Sequence, residues 1–464
     1  MTTVAKQFKA DARRITRDLR HRGLILTALK KYEAARDARL AKFPDWQSAR
    51  QTAAEIKWDA INHLDKYLLE FAAKLEARGT KVHWASTAQQ AREIILGICR
   101  DRKARLVIKS KSMATEEIHL NDALEKAGFE VVESDLGEFI VQLRRETPYH
   151  IVFPAMHLVR GEISDLFHHK LGTPPTDNPE ELTMIARRWL RHKYIQADVG
   201  ITGCNFAVAD TGMVAITTNE GNGRLTGSLP KTMITLVGIE KIIPRLEDLA
   251  LLQPMLATIG AGQLITCYNA LYSGPRQPDE PDGPEEFHVV LMDNGRTRLM
   301  ADAEQRDALH CIRCGSCLNV CPIYRNIGGH TYGTTYPGPV GSVITPHLRG
   351  LLEWKHLSFA SSLCGACTAS CPVKICLHHH LLQNRRNAVR AKPVWWEKIA
   401  FDLFAFIFNR PWLYKLTKPL GRLGQVFHPL IKGTPLDPAR AWTQSRDLPR
   451  IPRQTFKEYW RSRR

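Results

Sequence analysis

Cys311-Ile-Arg-Cys314-Gly-Ser-Cys317-Leu-Asn-Val-Cys321-Pro322 and the later Cys364-Gly-Ala-Cys367-Thr-Ala-Ser-Cys371-Pro372 are the most informative stretches of the chain. The first has the C-x2-C-x2-C-x3-C-P spacing of bacterial ferredoxins, in which the fourth cysteine ligates the neighbouring cluster. Three thiolates on a tight loop can cap three corners of one cubane. The fourth precedes a proline, whose missing N–H costs nothing at a helix start, and points toward the other cubane. This rule assigns Cys311, Cys314, Cys317 and Cys371 to cluster 1, and Cys321, Cys364 and Cys367 to cluster 2, giving two [4Fe-4S] clusters. A full second motif would place a cysteine where Ser361 stands. Cys376, Ser361 or solvent can fill that corner, or cluster 2 is a three-iron species. Pro372 is expected to open a short helix that carries Cys376 one turn further on. Paired C-x2-C motifs also hold zinc, but one tetrahedral ion has no use for a third cysteine and C-P.

Working outward, eight of the eleven cysteines fall between Cys311 and Cys376. That density, with no secretory signal at the start of the chain, reads as metal binding in a cytoplasmic protein rather than a disulfide scaffold. The other three, Cys99, Cys204 and Cys267, are given no metal role, and Cys99 and Cys267 are expected to be buried. Two clusters on a shared loop pair lie close enough for electrons to hop, so the pair reads as a segment of wire between redox partners.

With 44% hydrophobic and 24% charged residues the composition is that of a globular protein. The longest apolar run near the C-terminus, Ile399–Phe408, is interrupted by Asp402 and falls short of a membrane span. The net charge of +18 is concentrated late: from Arg390 to Arg464 there are 16 Lys and Arg against 5 Asp and Glu. Such a tail fits an acidic protein or anionic lipid, so peripheral membrane contact stays open; no nucleic-acid-binding motif accompanies it. Prolines from Pro393 to Pro452 predict only short helices there, and Trp395, Trp396, Phe401, Phe404, Phe406 and Phe408 suggest a docking surface.

Residues 1–75 read as a helical N-terminal segment. Residues 76–300 alternate strands with helices, the pattern of an α/β domain with a largely parallel sheet. Strands are expected at 105–110, 129–133, 151–153, 199–202, 213–217, 232–237 and 287–292. Residues 301–390 form the cysteine module, mainly α-helical, and 391–464 a basic, Pro- and aromatic-rich extension. No flavin or nicotinamide fingerprint is present: the glycines of Asn219-Glu220-Gly221-Asn222-Gly223-Arg224 are one residue out of step with G-x-G-x-x-G, and no helix is expected to follow directly. The bland alternative for this loop is a polar hairpin turn. His157 reads as a loop histidine, and His378-His379-His380 on a helix point in different directions. No catalytic residue is assigned.

Glu117–Leu143, Asp210-Thr-Gly, Asn219–Arg224, Tyr336-Pro-Gly-Pro-Val-Gly341 and Leu363-Cys-Gly-Ala-Cys together resemble the lactate-utilisation protein B family over essentially the whole chain. The resemblance implies an α/β LUD domain, similar to the sugar-phosphate isomerase and CoA-transferase class, followed by a ferredoxin-like two-cluster module. It implies an iron–sulfur, non-catalytic electron-transfer subunit of a system oxidising L-lactate to pyruvate, with a cysteine-rich subunit and a small LUD subunit as partners. It implies seven ligands, Cys311, Cys314, Cys317, Cys321, Cys364, Cys367 and Cys371, with Cys376 a departure. It also favours a ligand loop at Glu220, Gly221, Gly223 and Arg224. The alternatives are that the LUD domain itself binds or acts on a hydroxy acid, or that the chain serves another hydroxy-acid dehydrogenase.

Overall fold

The computed structural model describes residues 2–463 except Pro438, Gln444 and Ser445. Pro438, one of the tail prolines, is therefore outside the described residues. The chain forms two units, Met1–Ala388 and Val389–Arg464.

Ten strands lie in the first unit: β1 (Lys81–Ala85), β2 (Leu106–Lys109), β3 (Glu130–Glu133), β4 (Val199–Thr202), β5 (Phe206–Val208), β6 (Met213–Thr218), β7 (Thr232–Gly238), β8 (Ile242–Ile243), β9 (Tyr268–Tyr272) and β10 (Glu286–Met292). Six build a sheet of order β1-β10-β7-β4-β2-β3, with every pairing parallel. Such a sheet is covered on both faces, which is why its strands read as runs of Val, Ile and Leu rather than alternating; all seven residues of β7 are buried. Ile234 and Leu236 pack on one face with Ile95 and Leu124, while Met233 and Val237 pack on the other with Leu68 and Phe71. The remaining strands form a smaller sheet, β8-β5-β6-β9.

From β2 the chain moves to β3 at one edge; from β4 it moves the other way, to β7 and β10. Strand order therefore reverses between β2 and β4. A crevice opens outside the carboxyl ends of parallel strands at such a point.

Four helices, Thr3–Arg17, Leu19–Leu40, Trp46–Asn62 and Leu64–Glu76, precede the sheet. Phe8, Ile25, Leu29, Ala53 and Ile61 share one core with Cys314, Cys317, Cys367 and Cys371. Arg50 Nε and Nη2 donate to the Cys371 carbonyl at 3.0 and 2.8 Å, so this segment helps to fix the second cysteine loop.

Several local expectations fail. Residues 151–153 form no strand, because His150 Nδ1 accepts the N–H groups of Val152 and Phe153 and holds them in a loop. A helix, Asn222–Ser228, opens directly after Gly221. Pro322 begins a helix, but Pro372 does not: Lys374 adopts φ 53°, and the next helix starts at Leu377. Cys99 is buried as expected, whereas Cys267 is exposed. In the second unit Pro411–Ile431 runs 21 residues with Pro419 and Pro429 inside. Each proline removes one intrahelical bond without ending the helix, so the tail is not confined to short helices.

Gly200 in β4 has no room for a side chain: a Cβ would lie 2.0 Å from the Thr226 carbonyl. Gly200→Ala is expected to cost about 1–3 kcal/mol, read as a lower urea midpoint. Gly97→Ala, in the helix Ala88–Asp101 and with nothing within 4 Å of the added carbon, should be neutral or gain up to about 1 kcal/mol.

Candidate metal centre

The two cysteine loops repeat one backbone conformation. Arg313 and Gly315 take φ of 61° and 75° around Cys314, and Leu363 and Gly365 take 56° and 81° around Cys364. Left-handed residues on both sides of the middle cysteine curl each loop around its thiols. Glycine adopts this freely, but Arg313 and Leu363 do so under strain. The Arg313 N–H donates to Cys311 Sγ at 3.4 Å, and the Leu363 N–H to Ser361 Oγ at 3.1 Å. The serine thus holds the place in its loop that Cys311 holds in the first.

Cys311, Cys314, Cys317 and Cys371 line one apolar pocket with Ile151, Val340 and Ile375. The Ile375 N–H donates to Cys371 Sγ at 3.4 Å. Burial pushes the Cys314 thiol up, and its next strongest influences are Cys311 and Cys371. Burial also raises Cys317, followed by Cys311 and Cys314 and, more weakly, Cys367; Cys371 is pushed up to about 12, again chiefly by burial. Cys367 is raised to about 11 by burial, then by Cys321 and Cys364. Buried thiols of this kind stay protonated unless a metal takes the proton's place. The cysteines therefore fall into two neighbouring sets, Cys311/Cys314/Cys317/Cys371 and Cys321/Cys364/Cys367.

Around one zinc, sulfurs stand about 3.8 Å apart; among the described residues, no three of these sulfurs gather within 4.8 Å. Wider-set thiols around an apolar pocket, with backbone N–H groups on sulfur, fit an iron–sulfur cluster. The first set is mostly buried, while Cys321 is half-buried and Cys364 exposed. Cys376 has no cysteine among its influences: burial raises it, with the His379 N–H and Asp307 beside it. Its sulfur lies within 4.8 Å of ligand nitrogens of His378 and His379. His380 Nε2 turns away to Asp307 at 2.7 Å, but His378, whose Nδ1 pairs with Thr368 Oγ1 at 2.8 Å, and His379 do not diverge as expected: their ring centroids are 4.4 Å apart beside Cys376. His157 is a loop histidine whose Nε2 pairs with Glu146 at 2.9 Å, but it is not fully satisfied: its Nδ1 is buried without a partner among the described residues, and it is lowered to about 4 chiefly by burial.

A buried ion network ties the first cysteine loop to the sheet. Glu240, just past β7, pairs with Arg296 and, at 3.0 Å, with Arg313 Nη2. Arg296 donates twice to Glu117, at 2.9 and 2.8 Å, and the Tyr336 hydroxyl donates to the same carboxylate at 2.6 Å. The Arg313 guanidinium lies over the Tyr336 ring, 4.6 Å from its centroid. Burial opposes the charge on Glu240, but Arg296 and Arg313 overcome it and hold the carboxyl at about 2. Lys57, 1% exposed, donates to the carbonyls of Glu240 and Ile242 at 2.7 and 2.9 Å.

Between this network and the strand ends is a cavity of about 330 Å³ that Glu220, Asn222, Lys241 and Arg313 help to line. Gly221, at φ 73°, caps the helix that begins with Asn222. A Cβ on Gly223 would press on Ile216 at 2.9 Å. Both glycines thus shape the loop without lining the cavity, and Arg224 does not line it either. Glu220 accepts the Leu136 N–H at 3.0 Å; it is exposed as a residue, yet its carboxyl is crowded enough for burial, then Asp135, to raise it to about 7. Lys241 and Arg313 escaped the sequence reading. The position of Arg313 inside the cysteine motif was the one available signal.

This architecture defines an α/β protein with an iron–sulfur module folded against its sheet. Three family models match: LUD domain at residues 68–292, 4Fe-4S dicluster domain at 307–375, and Lactate utilisation protein B, C-terminal, at 383–464. Proteins named lactate utilization protein B from Oceanobacillus iheyensis and Bacillus subtilis are 43% and 42% identical, each match covering 95% of this chain and 93% of the relative. The chain belongs to the lactate utilization protein B family. A crystal structure of a DUF162 family protein from Deinococcus radiodurans is also matched, with TM-score 0.29 and 13% identity over 49% of this chain and 98% of that one. No helix among the described residues is long and apolar enough to cross a membrane.

Glu240→Gln removes the charge that balances Arg296 and Arg313 in a dry interior, and is expected to cost about 3–5 kcal/mol. Thermal unfolding of the iron-loaded protein checks this. An exposed control, Glu247→Gln, should leave the midpoint unchanged.

Proposed function

We propose that this chain is the iron–sulfur, electron-carrying subunit of a multi-protein system oxidising L-lactate to pyruvate, and that it holds two clusters. The observation that carries the reading is the division of seven cysteines into two adjacent sets, with Cys371 of the second motif joining the first. The 4Fe-4S dicluster match and the name of the relatives support it. Cys311, Cys314, Cys317 and Cys371 would hold cluster 1. Cys321, Cys364 and Cys367 would hold cluster 2, with Ser361 at the fourth corner. Bound clusters supply one-electron storage. The chain's own groups shield the first set from water and leave Cys364 at the surface, the natural side for a redox partner. The extension 391–464 would dock the other subunits in the cytoplasm: the helix Trp395–Phe408 has no buried residue, and Trp395 and Phe401 are 74% and 72% exposed.

Cys371→Ser should lower the EPR signal of cluster 1 although it lies in the second motif; a loss confined to cluster 2 would overturn the assignment. Cys376→Ser should leave iron content and spectra unchanged. Ser361→Cys should restore the ferredoxin spacing and abolish any three-iron signal.

Truncation after Lys392 should preserve iron content while weakening co-purification with the other subunits. Normal co-purification with loss of membrane association alone would show that the extension binds lipid instead.

A further inference from the structure

Four polar groups facing the cavity at the strand ends have no partner among the described residues. Asn222 is 4% exposed and Ser110 3%, and the side chain of neither makes a hydrogen bond. Arg313 Nη1 is buried without an acceptor on a side chain that is 9% exposed. The Lys241 amine forms neither a hydrogen bond nor an ion pair. Buried polar groups in folded proteins are almost always hydrogen-bonded, so three buried side chains with unpartnered polar atoms around one cavity, with the half-buried Lys241 beside them, call for a ligand rich in acceptors. The cavity lies where strand order reverses, outside the carboxyl ends of β2, β4 and β7, the usual ligand position in such sheets. Its volume of about 330 Å³ suits a small molecule.

Charge selects the class. Glu240 and Glu117 offset Arg296 and Arg313; of the other charged groups lining the cavity, Lys111 donates to the Val152 carbonyl and Asp135 accepts the Glu138 N–H, and Lys241 stands beside the free Arg313 nitrogen with no ion pair of its own. Glu220 lines the same cavity and offers a carboxyl to a hydroxyl group. We propose that this cavity binds a small hydroxy-carboxylate, its carboxylate held by Lys241 and Arg313 and its hydroxyl directed to Asn222 and Glu220. The site goes beyond the electron-carrier reading and is tested by binding rather than electron flow, so either can fail alone. Because Arg313 stands between Cys311 and Cys314, an occupant would alter the surroundings of the first cysteine set.

The test titrates the full-length, iron-loaded protein calorimetrically with L-lactate, propionate and inorganic phosphate, and records EPR spectra of the reduced protein with and without each. L-lactate should bind at one site per chain and change the line shape, with propionate weaker because it lacks the hydroxyl. Lys241→Gln should weaken L-lactate about tenfold through loss of one charged hydrogen bond, with iron content and circular dichroism unchanged. Asn222→Asp, nearly isosteric, should do the same by repelling the carboxylate. Failure of L-lactate to bind at millimolar concentration overturns the proposal, as does an affinity indifferent to both variants. Phosphate binding as tightly as L-lactate would make this a general anion site and overturn the hydroxy-carboxylate assignment. Should both variants lose iron, the wild-type spectrum decides: binding without a change in line shape places the ligand elsewhere and overturns the proposal.

Discussion

The Glu240 carboxylate is the point at which the two halves of the first unit are joined. It sits at the end of the central strand β7, out of water, and a carboxylate there is tolerable only with cations on both sides. Arg296 comes from the segment after β10 and Arg313 from within the first cysteine loop. Each cation has a further duty. Arg296 carries Glu117, and Arg313 stacks on Tyr336. Five positions scattered over more than 200 residues thus settle one another's geometry, and the cysteine loop is oriented on the sheet through a single residue.

The same network anchors the strained first loop, although the loop shape recurs where the network is absent. Arg313 is held at φ 61° between two cysteines, a conformation that a long side chain adopts only where its surroundings repay the strain. Here the repayment is the ion pair to Glu240 and the stacking on Tyr336. Leu363, its counterpart in the second loop, takes the same conformation with no ion pair. The loop shape therefore belongs to the thiol arrangement, and the anchoring of Arg313 to the α/β domain is peculiar to the first loop. That difference accounts for a first set that is mostly buried against the sheet and a second that reaches the surface.

The N-terminal helices add a second fastening. Arg50 closes on the Cys371 carbonyl and Lys57 on the carbonyls after β7, so one helix, Trp46–Asn62, grips both the cysteine module and the sheet. Periodicity marks that stretch as a helix. It gives no hint that two of its cations are buried, because a charged side chain reads as surface until its partner is found elsewhere in the chain.

By itself the sequence determined what depends on spacing and local pattern. The strands β2, β3, β4, β7 and β10 are runs that a covered parallel sheet accepts, β6 is legible as a strand though it pairs antiparallel in the smaller sheet, and the C-x2-C-x2-C-x3-C-P run admits few metals. It misread places where a distant or local hydrogen bond outweighs propensity: residues 151–153, held in a loop by His150, and the turn after Pro372, where no helix forms. Only the tertiary structure decided that the Cys376 sulfur lies beside His378 and His379 with no cysteine among its influences, and that Lys241, Asn222 and Arg313 meet at one cavity. The reason is physical. Spacing fixes neighbours along the chain, whereas these groupings arise from burying charge and thiol together, and burial is a property of the folded whole.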